Sequence, residues 1–164
     1  MYLNDTEIHI RQGEMIFGET SMRVHTVLGS CIAITMYHRE TKCFAMCHAM
    51  LPESSCSPKN VHYNPYNYVD TVTEVMMARF RDAGIFPHEL EIKYFGGADM
   101  FEGSFRSEKT VGKKNIETVR QVMTMYNVTV LSSDVGGIRG RKIVFDTTTG
   151  DVFVKKLREN DSVA

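Results

Sequence analysis

Leu28-Gly29-Ser30-Cys31-Ile32-Ala33-Ile34-Thr35-Met36-Tyr37 and, after five polar residues, Cys43-Phe44-Ala45-Met46-Cys47-His48-Ala49-Met50 are the stretches on which the fold turns. The first is rich in β-branched and aromatic residues after two small ones, the signature of a strand entered through a sharp turn. The second is again apolar, and His38–Lys42 between them is polar and turn-like, so the two form a β-hairpin. Upstream, Val24–Leu28 forms a strand broken by Gly29-Ser30, and Glu7–Phe17 forms one or two short strands around Gly13. Downstream, Pro52–Tyr63 shows no periodicity. It is a long loop, placed to act as a lid or a substrate-facing segment.

Asn64-Pro65 opens a helix, with Asn as cap and Pro in the first turn. Val69, Val72, Met76 and Phe80 continue it at helical spacing, and Gly84 stops it. Glu91–Phe95 is a strand ending in Gly96-Gly97. A second helix runs from about Lys114 to Tyr126, with Ile116, Val119, Val122 and Met123 on one side and Asn127 at its end. Val128–Leu131, Lys142–Phe145 and Val152–Lys155 are strands, and Asp134–Gly140 is a glycine-rich turn. This order predicts an α+β (mixed α/β) fold with much antiparallel pairing. Two helices cannot cover both faces of a large sheet, so helices on one face and further strands on the other are expected.

The 164 residues predict one domain, residues 1–164. With 43% hydrophobic and 24% charged residues, the composition is close to globular averages and suggests neither a disordered chain nor a membrane protein. A formal charge of -1 provides no general attraction for nucleic acid or anionic lipid. No apolar run approaches the ~20 residues of a membrane span. Met1–Gln12 lacks the basic start and apolar stretch of a secretion signal, so the expected compartment is the cytoplasm.

The four cysteines, Cys31, Cys43, Cys47 and Cys56, fall within 26 residues. Without a secretion signal a disulfide framework is not expected, which leaves buried thiols, a metal site or a reactive thiol. Cys31 follows Gly29-Ser30, where the chain turns sharply and free N–H groups can face a developing oxyanion. If the hairpin pairs residues whose numbers sum to 79, His48 lies directly opposite Cys31 on the same face; a sum of 80 puts them on opposite faces. An imidazole beside a thiol favours the thiolate and can later protonate a leaving group. The alternatives are a buried hydrophobic thiol for Cys31 and a core histidine for His48. A zinc reading would use Cys43, Cys47, His48, Cys56 and His62. The Cys43-x-x-x-Cys47 gap fits it, but no second tight pair exists, and the two cysteines alternate through an apolar strand as core residues would.

Thr26-Val27-Leu28-Gly29-Ser30-Cys31 followed by His48-Ala49-Met50-Leu51-Pro52 resembles the chemoreceptor glutamine deamidase family CheD. So do Lys93-Tyr94-Phe95-Gly96-Gly97-Ala98, Val111-Gly112-Lys113-Lys114-Asn115, Asp134-Val135-Gly136-Gly137 and Gly140-Arg141-Lys142, in the family's order. The resemblance implies a cysteine hydrolase that converts glutamine side chains of methyl-accepting chemotaxis receptors to glutamate. It implies a layered α-β-β sandwich, with Cys31 as nucleophile, His48 as base and Thr26 as third catalytic residue. Backbone amides around Gly29 and Ser30 would hold the oxyanion. No cofactor is implied, and a glutamate methyl ester could enter the same intermediate. In some bacteria a CheC-type phosphatase binds and regulates the family's members.

Overall fold

The computed structural model describes residues 6–56, 63–100, 109–158 and 161. Nine strands and two α-helices are found among them. The hairpin is β4 (Ile32–His38) and β5 (Cys43–Ala49), and every residue of both strands is buried. They are the inner strands of a five-stranded sheet ordered β2 (Met15–Gly18), β5, β4, β6 (Glu91–Gly96), β7 (Val130–Val135). A four-stranded sheet, ordered β1 (Thr6–His9), β3 (Met22–Leu28), β8 (Arg141–Asp146), β9 (Val152–Lys156), packs on one of its faces. Helices α1 (Val69–Asp82) and α2 (Val111–Met125) pack on the other. Pairing is antiparallel except between β1 and β3 and between β6 and β7. The chain is therefore an α+β protein in three layers, α-β-β.

Cover on both faces explains why β4 and β5 run as near-continuous apolar segments instead of alternating ones. Ile32, Ile34 and Met36 of β4, with Cys43, Ala45, Cys47 and Ala49 of β5, face the helices and meet Val72, Met76 and Val119. Cys31, Ala33 and Tyr37, with Phe44 and Met46, face the second sheet and meet Val24, Leu28, Ile143 and Phe145.

Among the boundaries that differ from the sequence expectation, three have a clear local reason. Asn64 caps only a 3-10 turn, Pro65–Asn67. Tyr68 is then extended so that it can bridge Leu51, and α1 begins at Val69. Helix α2 starts at Val111, capped by the Thr110 side chain. Gly112 sits in its first turn because a Cβ there would run into the carbonyls of Gly97 and Ala98. Strand β7 reaches Val135 because Ser132, Ser133 and Asp134, which resemble a turn, lie on a sheet edge where polar side chains are tolerated.

Candidate active site

The site forms where β3 of one sheet passes into β4 of the other. Gly29-Ser30 makes the crossing, and Cys31 is the last residue before β4 begins. The turn is pinned through its carbonyls. Ala98 N–H donates to Gly29 O (3.0 Å), Asn115 Nδ2 to Ser30 O (2.9 Å) and Gly97 N–H to Cys31 O (2.9 Å). The amides of Ser30 and Cys31 find no acceptor among the described residues. Gly96, at φ +114°, is required beneath this turn, since a Cβ would collide with the Cys31 carbonyl oxygen.

The hairpin register pairs Ala33 with His48, so paired numbers sum to 81 rather than 79. The face is the expected one, because the register differs by two residues. The direct apposition is corrected: Cys31 is the diagonal neighbour of His48, two residues beyond its partner Ala33. Both side chains project into the layer between the sheets, and both are nearly sealed, at 4% and 1% exposed.

Thr26, on the inner face of β3, completes the group from the second sheet. Its Oγ1 lies 2.7 Å from His48 Nδ1 and donates to Ile10 O at 2.9 Å. A hydroxyl has one proton and the carbonyl can only accept, so that proton belongs to Ile10. Thr26 Oγ1 then accepts from Nδ1–H, and the neutral ring keeps its free lone pair on Nε2. His48 Nε2 is buried with no hydrogen-bond partner among the described residues. His25, one residue earlier, takes the other face of β3 and stacks on His9 at 4.6 Å.

Residues 10–14 hold the histidine strand from outside. Gly13 N–H donates to His48 O (2.8 Å) and His48 N–H to Glu14 O (3.0 Å). Gln12 Nε2 donates to Cys31 Sγ at 3.8 Å. A cleft of about 460 Å³ between this segment and β3 opens onto Thr26 and His48, with Arg11, Gln12 and His25 along it.

Burial sets the protonation states. It pushes the Cys31 thiol up to about 11, against a smaller opposing effect of the Gln12 hydrogen bond. It lowers His48 to about 4, despite the nearby Glu14 charge. Desolvation penalises both charged forms, so the pair rests as thiol and neutral imidazole rather than as the thiolate expected from proximity. His48 Nε2 and Cys31 Sγ make no hydrogen bond to each other, and both groups rest uncharged.

The cysteines of the zinc reading are placed differently. Cys43 and Cys47 are fully buried in the helix-facing core, on the opposite side of β5 from His48. Cys56 closes a 3-10 turn, Ser54–Cys56; its side chain, and His62, lie outside the described residues. So does the centre of the loop expected to face substrate, residues 57–62.

Gln12, Asn115 and Arg141 were not legible as parts of this site. Arg141 is buried in the fold; it binds Asp134 Oδ1 through Nε (3.0 Å) and Nη2 (2.9 Å), Gly136 O (2.8 Å) and Gly96 O (3.4 Å). It thus ties the ends of β6, β7 and β8 beneath the cysteine turn. The available signals were that Asn115 and Arg141 fall within motifs of the family resemblance, and that Asn115 is a polar residue beside the apolar helix position Ile116.

Comparison with known proteins gives the family. Residues 50–156 match the family model described as CheD chemotactic sensory transduction. A protein of Geobacter sulfurreducens described as "Probable chemoreceptor glutamine deamidase CheD 2" is 37% identical over 155 residues, 94% of this chain and 92% of the relative. The chain belongs to the CheD family. Proteins of Oleidesulfovibrio alaskensis and Pyrococcus horikoshii, both described as "Probable chemoreceptor glutamine deamidase CheD", are 36% and 34% identical. These alignments cover 92% and 93% of this chain, and 72% and 94% of the relatives. No helix among the described residues is long and apolar enough to cross a membrane.

Proposed function

We propose that this chain is a protein-glutamine deamidase that converts glutamine side chains of chemotaxis receptors to glutamate, with Cys31 as nucleophile, His48 as base and Thr26 as its orienting partner. One observation carries the reading: His48 Nε2 is left unprotonated and unpartnered by the Thr26 contact, in the same layer as the Cys31 side chain and at the end of a cleft. The names of the CheD relatives supply the substrate class.

In the proposed reaction the Cys31 proton moves to His48 Nε2 as sulfur adds to the carboxamide carbon. The oxyanion lies against the amides of Ser30 and Cys31, with Gly29 shaping the turn. His48 returns the proton to the departing ammonia, leaving a γ-glutamyl thioester. Water then attacks, losing a proton to the same imidazole, and collapse releases glutamate and the thiol. No step calls for a cofactor. A glutamate methyl ester would reach the same thioester with methanol as leaving group.

A primary amide is a poor electrophile, so positioning must supply much of the rate. Free glutamine offers few contacts beyond the reacting group, whereas a receptor helix brings neighbouring side chains. Incubating the chain with a receptor cytoplasmic fragment and mapping its peptides by mass spectrometry tests the proposal. Amide-to-acid conversion at defined glutamines, absent with Cys31→Ala and far slower on free glutamine, is the expected result. An unmodified fragment would leave a noncatalytic chemotaxis adaptor, acting through receptors or a CheC-type phosphatase, as the function.

A further inference from the structure

We infer that Asn115 is a positioning residue for the oxyanion donor: by pulling the Ser30 carbonyl toward α2, it aims the Cys31 N–H into the site. This rests on the deamidase reading above and deepens it. Asn115 is fully buried in the first half of α2. Its Nδ2 donates to Ser30 O at 2.9 Å and to Met50 O at 3.1 Å. Those two carbonyls lie on either side of the point where the hairpin opens. The last ladder pair is Ile32 with Ala49, and Met50 N–H has already left the ladder for Asn67 O (2.8 Å). One side-chain amide therefore does across the open end what a further ladder pair would have done.

The consequence for chemistry follows from the planar trans peptide, in which C=O and N–H point in opposite directions. With the Ser30 carbonyl held toward the helix layer, the Cys31 N–H points away from it, toward the inter-sheet layer that also holds the Cys31 side chain. Gly29 O, held by Ala98 N–H, orients the Ser30 N–H by the same rule. Asn115 Oδ1 is buried without a hydrogen-bond partner among the described residues. That cost is not explained by helix packing, which an apolar residue would serve without it.

Asn115→Leu, of similar volume, and Asn115→Ser, which is smaller, are compared with the parent chain after thermal unfolding has shown which variants are folded. Two reactions are measured at one pH: deamidation of a receptor fragment, and alkylation of Cys31 by iodoacetamide. Alkylation displaces iodide at carbon and builds no oxyanion. The inference expects kcat for deamidation to fall about 100- to 1,000-fold, with KM and the alkylation rate each held within about threefold. A folded variant that keeps its kcat overturns it. So does equal loss of alkylation and deamidation, which would make Asn115 a support for the thiol itself. A parent chain that alkylates at Cys31 yet leaves the fragment unmodified overturns the deamidase reading instead, and this inference with it.

Discussion

On the helix-facing side of β5 stand Cys43, Ala45, Cys47 and Ala49, and on the opposite side Phe44, Met46 and His48. Both sides are buried, and thiols on both are pushed up by desolvation: Cys47 to about 12 and Cys31, across the hairpin, to about 11. Thiol acidity therefore does not separate the structural cysteines from the candidate nucleophile. Neighbours do. Around Cys47 the layer is closed by apolar side chains of α1 and α2. On the side of Cys31 the layer holds an imidazole with a free nitrogen and a hydroxyl that orients it, and both of these line a cleft. What separates the candidate nucleophile from the core thiols is therefore the side of the sheet that each takes.

The strongest way to break the comparison is to move the thiol chemistry. Cys31→Ser should lower deamidation of a receptor fragment by at least about 1,000-fold while circular dichroism and the unfolding midpoint stay unchanged. His48→Gln should cost about 100- to 10,000-fold in kcat, read in the same assay.

His48→Gln should also alter acid stability. The folded histidine titrates near 4, below its ordinary 6.5, so below pH 6.5 the unfolded chain takes up a proton that the folded chain refuses. This contribution is present in full above pH 6.5 and is lost as the pH falls toward 4, amounting to about 3 kcal/mol. Urea unfolding at pH 7 and pH 4 should show a parent chain that weakens more than the variant by roughly that amount. An identical slope in both would mean that His48 is not desolvated.

Smaller effects sharpen the comparison. Thr26→Val removes the acceptor for Nδ1–H and frees the ring to adopt the wrong tautomer; kcat should fall roughly ten- to a hundredfold, and Thr26→Ser should restore most of it. Cys43→Ala and Cys47→Ala, on the other face, should leave kcat within about twofold while lowering stability by about 1–2 kcal/mol, measured by denaturant unfolding. Loss of activity equal to that of Cys31→Ser would return the two cysteines to the functional site.

By itself the sequence determined the hairpin, the two helices and the layered α+β class, and it singled out Cys31 and His48 without fixing whether they share a face. These follow from local signals: period-two and helical spacing and a polar connection of five residues, whereas the parity of the register, and with it the shared face, came only from the structure. Only the tertiary structure decided the diagonal register, since sums of 79 and 81 bury the same side chains and nothing local separates them. It also decided that Thr26 rather than His25 reaches the imidazole, because that depends on how the second sheet lies on the first. The neutral resting state is likewise a property of the packed layers, since desolvation does not exist in an extended chain. Asn115 and Arg141 were hidden for the same reason: their partners, Ser30 and Met50 for one, Gly96 and Gly136 for the other, are mostly distant in sequence and become neighbours only when the sheets and α2 close around the cysteine turn.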